Sequence, residues 1–65
     1  MEARDIVNEL LELGLTQKQI EERTGITQPT ISKIARGDVA DVLSRSYRKL
    51  QAVLEEVKAA AAAKA

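Results

Sequence analysis

Two neighbouring stretches of this chain carry the same start and stop signals for a short helix. In the first, Thr16 opens a Thr-x-x-Gln capping box, and Gly25 provides a left-handed stop about two turns later. In the second, Thr27 is the N-cap candidate, a proline lies in the first turn and Gly37 is the stop. The repeated pattern predicts two short helices joined by a glycine turn within residues 16–37.

Amphipathic segments on either side of this pair predict further helices. Apolar side chains recur at helical spacing over residues 2–13, which Gly14 ends, and again over residues 44–57. No segment alternates apolar and polar residues as a half-buried strand would. The sequence therefore predicts an all-α fold, a small bundle of four to five helices that contains a helix-turn-helix and ends in a long C-terminal helix.

Length and composition predict one domain followed by a short tail. A chain of 65 residues buries only about 60% of the surface that its unfolded state exposes, so its core must be compact. We assign residues 1–58 to one helix-turn-helix domain, with the motif at 16–37, and residues 59–65 to an alanine-rich tail that extends the last helix. Residues 38–43 are predicted to form a loop or a poor short helix.

The residue types that the chain lacks exclude several classes of function. It contains no cysteine and no histidine, which excludes a zinc-stabilised domain, a disulfide scaffold and catalysts that depend on either side chain. The adjacent residues Glu55 and Glu56 do not share a helix face, so they form no acid-base pair. We predict no catalytic residues, no metal, no cofactor and no small-molecule substrate, and we do not expect an enzyme.

Hydropathy leads us to expect a cytoplasmic protein with no membrane segment. No apolar run approaches the roughly 20 residues that cross a bilayer, and the polar start of the chain does not resemble a signal peptide.

Ten basic and ten acidic residues give zero net charge. Residues 1–26 hold three basic and six acidic residues, a net −3, whereas residues 27–65 hold seven basic and four acidic residues, a net +3. This polarity favours a basic contact surface in the second half.

The second helix of the pair presents a polar outer face. With Ile31 and Ile34 directed inward, the remaining side chains carry amide, hydroxyl, cationic or apolar groups and no carboxylate. These side chains are Gln28, Pro29, Thr30, Ser32, Lys33 and Arg36. In a major groove, glutamine can pair with adenine, lysine with guanine and threonine with a base edge, whereas Ser32 and Arg36 suit phosphates.

The 23 residues of this motif resemble a known DNA-binding family. The sequence LTQKQIEERTGITQPTISKIARG, from Leu15 to Gly37, is similar to the helix-turn-helix of the lambdoid phage repressor and Cro family. The close similarity covers about a third of the chain, and a weaker similarity in layout extends over residues 2–57. Glu21 departs from the family pattern, which has a small residue there, so this side chain must turn to solvent or find a partner such as Lys18 or an arginine.

The resemblance implies roles for eight residues. In that family, the residue that matches Gln17 binds a phosphate and braces the residue that matches Gln28, which contacts adenine. The resemblance implies base contacts from Gln28, Pro29, Thr30 and Lys33, with only apolar contact from the proline. It implies phosphate contacts from Gln17, Ser32, Arg36 and Arg45, and Arg45 approaches the DNA backbone or the minor groove from beyond the loop.

Motif and resemblance together predict a transcriptional regulator that binds double-stranded DNA as a homodimer. The specific expectation is a Cro-type phage or prophage repressor, associated with the bacterial nucleoid. Each subunit would place residues 28–36 in one of two successive major grooves about 34 Å apart on a pseudo-palindrome. Leu54, Val57 and the alanine-rich tail are candidates for the dimer seam.

Three other interpretations stay open at this point. An antitoxin-like or adaptor domain would use the same fold and the 28–36 face to bind a protein, which zero net charge permits. The DNA-binding arm of a recombinase or transposase carries a similar motif, although no catalytic domain accompanies it here. The capped pair would also suit a purely structural helix hairpin in a small bundle.

Overall fold

The computed structural model describes residues 2–39 and 42–64. Within these ranges lie four helices, α1 (Ala3–Glu12), α2 (Gln17–Thr24), α3 (Gln28–Arg36) and α4 (Ser44–Lys64). The same residues include no strand. The predicted all-α fold, with a helix-turn-helix and a long C-terminal helix, is confirmed, and the described part of the chain holds four helices rather than five.

The start of α2 follows the predicted capping box. The Oγ1 of Thr16 accepts a hydrogen bond from the backbone N–H of Gln19 at 3.1 Å, and the Gln19 Oε1 accepts one from the backbone N–H of Thr16 at 2.9 Å. These bonds satisfy N–H groups that have no partner within the helix. At the other end Gly25 has a φ of 76°, the left-handed conformation predicted for the stop.

The bounds of α3 agree with the prediction, but the helix start uses a different contact. Thr27 is the N-cap residue, yet its side chain caps no backbone N–H group of the helix. Its Oγ1 lies 3.0 Å from the Oγ1 of Thr30 instead. Pro29 removes one of the N–H groups that need a partner in the first turn. Gly37, with a φ of 79°, ends the helix as predicted.

The core consists of apolar side chains from all four helices. Its buried members are Ala3, Ile6, Val7, Leu10, Ile20, Ile31, Ile34, Leu50, Val53 and Leu54. α1 packs against α3 and α4, and α2 packs against the same two helices, so both motif helices are held on a shared core. The inward positions predicted at Ile31 and Ile34 are confirmed, Ile20 of α2 is buried with them, and Ile26 packs half-buried at the edge of the core.

α4 covers α1 and α2. Tyr47 and Val57 are half-buried against the core. Leu54 is only 4% exposed and belongs to the core, so it is not available for the dimer seam to which we assigned it as a candidate. Beyond the core, the Nζ of Lys58 lies 2.9 Å from the Oε1 of Glu9, which ties α4 to α1.

The irregular segments bear on two further predictions. In the loop predicted at 38–43, the described residues 38, 39, 42 and 43 lie outside the helices, and residues 40 and 41 lie outside the described part of the chain. α4 continues through the alanine-rich segment to Lys64, so the predicted helical extension is found. The division into domain and tail after residue 58 stays a prediction, and residue 65 lies outside the described residues.

Candidate nucleic-acid interface

The outer side of α3 is open to solvent. Ile31 and Ile34 turn toward the core, with 0% and 3% of their surface exposed, and this sets which side of the helix faces outward. On that side Gln28, Pro29, Thr30, Lys33 and Arg36 are exposed, and Ser32 is half-buried. We call these six residues the α3 face. It contains all four predicted base contacts and two of the four predicted phosphate contacts.

The side chain of Gln28 pairs with Glu21 of α2. The Gln28 Nε2 donates a hydrogen bond to the Glu21 Oε1 at 3.3 Å, a long bond of this type. The resemblance implies a bracing contact from Gln17, but within residues 2–39 and 42–64 no hydrogen bond joins the two glutamines. The carboxylate that departs from the family pattern thus has the glutamine as its partner, rather than Lys18 or an arginine.

Thr30 and Lys33 differ in how far their polar groups are already engaged. The Thr30 Oγ1 lies 3.0 Å from the Oγ1 of Thr27, and a hydroxyl that forms one hydrogen bond keeps capacity for others. The Lys33 side chain is exposed, and no ion pair to it is found in the described part of the chain. Lys33 therefore presents an uncompensated positive charge at the middle of the α3 face.

Arg36 forms an exposed ion pair at the end of α3. Its Nε donates to the Oδ2 of Asp38 at 3.0 Å, and the two side chains are 61% and 59% exposed. A guanidinium group has five N–H donors, so the terminal nitrogens stay able to bind a phosphate. Because exposed pairs contribute only about 0.2–1 kcal/mol, exchange of Asp38 for a phosphate costs Arg36 little.

Gln17 and Arg45 lie outside the α3 face, each in the first turn of its helix. Gln17 is the half-buried first residue of α2, and Arg45 is an exposed residue at the start of α4. Backbone N–H groups and the helix dipole make the first turn of a helix favourable for an anion. Both residues therefore occupy positions from which a phosphate contact is chemically reasonable, although the structure gathers neither of them onto α3.

Comparison with known proteins assigns the family. A family model described as helix-turn-helix matches residues 6–55, which include all of α2 and α3. The chain belongs to the phage repressor and Cro-like helix-turn-helix family. This family comprises DNA-binding regulators and is not a family of enzymes. The α3 face thus lies on the second helix of a recognised DNA-binding motif.

A phage relative supports the same assignment. Protein P2 of Acyrthosiphon pisum secondary endosymbiont phage 1 is 54% identical to this helix-turn-helix protein over 37 residues. The matched segment covers 57% of the chain and 39% of the phage protein, so the similarity spans about two fifths of that relative. No solved structure matches the chain significantly.

Two carboxylates border the α3 face of this helix-turn-helix protein. α3 itself carries none, as the sequence shows, but α2 brings Glu21 to Gln28 and the segment after α3 brings Asp38 to Arg36. Sequence reasoning singled out Glu21 as a departure but assigned it no role at this surface. The contact depends on the angle between the two helices, which the sequence does not specify. The turn places the fifth residue of α2 beside the first residue of α3.

The described residues also bear on metal binding and membrane crossing in this helix-turn-helix protein. Across residues 2–39 and 42–64, the acidic side chains form no group of three or more that is arranged to hold a metal ion. Over the same residues, none of the helices combines the length and the apolar character that crossing a membrane requires. The α3 face remains the best candidate for a functional surface.

Proposed function

We propose that the protein is a Cro-type transcriptional repressor that recognises a pseudo-palindromic operator in double-stranded DNA through α3. The observation that carries this proposal is the outward presentation of Gln28, Thr30 and Lys33 on one side of a helix whose other side is fully packed. A helix of this diameter fits the major groove, where base edges differ in their pattern of donors and acceptors.

Within this proposal, the residues divide into two groups by chemistry. Gln28, Pro29, Thr30 and Lys33 contact bases, with glutamine suited to adenine, lysine to guanine and the proline to an apolar contact. Gln17, Ser32, Arg36 and Arg45 contact phosphates, which orient the protein without selecting a sequence. The exposed positive charge of Lys33 and the weakly held guanidinium of Arg36 support the electrostatic part of this assignment.

The repressor acts as a homodimer in this proposal, because one short reading helix offers few contacts. Two coupled half-sites roughly add their binding free energies, and successive major grooves on one side of DNA lie about 34 Å apart. Since Leu54 belongs to the core, the seam falls to Val57, which is half-buried, and to the exposed alanines of α4.

Selection of bound duplexes from a random pool tests the function directly. The proposal predicts one enriched sequence with two inverted half-sites whose centres are separated by about 10 base pairs. A single enriched half-site would contradict the dimer and leave the DNA-reading function in place. Absence of any enriched sequence would contradict sequence-specific recognition.

The alternative is an antitoxin-like or adaptor domain that uses the α3 face to bind a protein. Zero net charge and the two bordering carboxylates favour this second candidate. A mobility-shift assay with random duplex at low salt separates the two functions, because a DNA-binding protein retains measurable non-specific affinity there. Lack of any shift would favour the protein-binding alternative.

A further inference from the structure

Glu21 places a negative charge beside the residue that contacts bases, which is unfavourable for binding a polyanion. We infer that Glu21 is a specificity-determining residue, which orients the side-chain amide of Gln28 so that it accepts adenine and rejects guanine. This inference rests on the proposed DNA-reading function and adds a residue of α2 to the reading apparatus. Its basis is the hydrogen bond of 3.3 Å from the Gln28 Nε2 to the Glu21 Oε1.

The chemistry of this contact sets the direction of the amide. An ionised carboxylate is only an acceptor, so it pairs with the NH2 end of the glutamine side chain and repels the carbonyl end. The orientation therefore follows from the identity of the two groups and does not depend on how the amide atoms are assigned. Gln28 is left with its carbonyl oxygen and one N–H group available to a ligand.

These two remaining groups match one purine and not the other. Adenine presents an N6 donor and an N7 acceptor in the major groove, which the free carbonyl and the free N–H of Gln28 satisfy together. Guanine presents two acceptors, O6 and N7, which would need both N–H groups of the amide. Because Glu21 occupies one N–H group, and because its negative charge would repel a guanine oxygen brought up to Gln28, guanine is disfavoured.

The backbone holds both residues of the pair in place. Glu21 is half-buried, and its carbonyl oxygen accepts the backbone N–H of Gly25 at 2.7 Å where α2 ends. Gln28 is the first residue of α3, and α3 is packed through two buried isoleucines. The contact thus joins the last turn of α2 to the first residue of α3, two segments whose backbones are fixed, so Gln28 could turn toward guanine only by breaking it.

The inference predicts opposite effects of one substitution on affinity and on selectivity. Glu21→Ala removes a negative charge near the DNA backbone, so binding to every duplex should strengthen. The same change frees the amide to rotate, so the preference for adenine over guanine should fall by about two- to tenfold, the value of one hydrogen bond. Alanine has the highest helix propensity, so α2 should remain folded, as circular dichroism would show.

Glu22→Ala is the matched control. Glu22 is the neighbouring carboxylate on α2, it is exposed, and it forms no hydrogen bond or ion pair within the described residues. Its removal changes the net charge by the same amount and leaves the Gln28 contact intact. We expect a similar gain in affinity and an unchanged preference for adenine.

The experiment starts from the duplex enriched by the wild-type protein and locates the base pair whose selection is lost in Gln28→Ala. Dissociation constants are then measured for duplexes that carry adenine or guanine at that position. The proteins compared are the wild type, the single variants Glu21→Ala, Glu22→Ala and Gln28→Ala, and the double variant Glu21→Ala/Gln28→Ala. The double variant should show the same preference as Gln28→Ala alone. An unchanged preference in Glu21→Ala, or guanine enriched by the wild type at that position, would overturn the inference.

A measurement without DNA separates failure of this inference from failure of the proposed function. In nitrogen-15 spectra of the free protein, the side-chain amide resonances of Gln28 should move in Glu21→Ala and stay in place in Glu22→Ala. If they do not move, Glu21 does not orient Gln28, even if the wild type binds DNA with full specificity. If the wild type enriches no duplex, the proposed function is wrong, and the role of Glu21 in base selection is wrong as well.

Discussion

Gln28 and Arg36 illustrate two kinds of contact that one short helix can make. Gln28 lies at the first position of α3, where its amide offers both a donor and an acceptor, a combination that an adenine edge can use and a phosphate cannot. Arg36 lies at the last position of the helix, where its charge suits a phosphate on any sequence. Substitution of the two residues should therefore affect recognition in different ways.

Gln28→Ala should weaken binding to the preferred duplex by about 1–3 kcal/mol and relax the preference at one base pair. Arg36→Ala should weaken binding to all duplexes alike, because a phosphate contact carries no sequence information. Dissociation constants on a panel of duplexes with single base-pair changes provide the comparison. An equal loss on every sequence for both variants would remove the base-reading role of Gln28.

Asp38 should restrain Arg36 in the free protein, since the two side chains pair at 3.0 Å. Asp38→Ala frees the guanidinium and removes a negative charge, so we expect binding to strengthen on all duplexes. Because the ion pair is exposed, breaking it should contribute no more than about 1 kcal/mol to the gain in binding free energy. In an Arg36→Ala background there is no ion pair to break, so this contribution to the gain in binding free energy should vanish. A gain of the same size in both backgrounds would show that Arg36 does not mediate the effect.

At the scale of elements, the capped helix pair determines which side chains face outward. The capping box of Thr16 starts α2, and the glycine stops end both motif helices. Gly37 has a second role, because a Cβ atom there would lie 3.1 Å from the Nη1 of Arg4 on α1. The end of α3 thus packs closely against α1, whereas a Cβ atom built on Gly25 would meet no other atom within 4 Å.

Gly37→Ala should therefore destabilise the protein more than Gly25→Ala. Both residues have a positive φ, so alanine incurs about 1–2 kcal/mol of backbone strain at either position. Only Gly37 adds a close contact with a side chain. Urea unfolding of the two variants measures the difference, and Arg4→Ala in the Gly37→Ala background should reduce it. Equal losses for both glycine variants would show that the Arg4 side chain moves away freely.

Local signals predicted the elements of this fold well. The bounds of α3, the capping box of α2 and the inward isoleucines follow from caps, glycines and periodicity, which act within a few residues. Contacts between elements were not predictable in the same way. The Gln28 pairing with Glu21 and the Thr27 pairing with Thr30 depend on how the turn orients two helices and on competition among neighbouring polar groups. The α3 face was predicted, but its bordering carboxylates were not.

At the scale of the whole molecule, a neutral protein must bind a polyanion by the arrangement of its charges. The acidic excess lies in residues 1–26 and the basic excess in residues 27–65, and α3 and α4 belong to the basic part. Acidic groups at the edge of the α3 face reduce non-specific attraction. Under the proposed function, base contacts would therefore supply much of the affinity for the operator.

The most direct test of the α3 face compares binding to the enriched duplex with binding to a scrambled duplex of equal composition. For the wild type, the account predicts that the enriched duplex binds about 10³-fold tighter or more. In a variant with Gln28, Thr30 and Lys33 all changed to alanine, the two duplexes should bind almost equally, and circular dichroism should show the helices retained. A variant that keeps the wild-type ratio would contradict the claim that this face reads DNA.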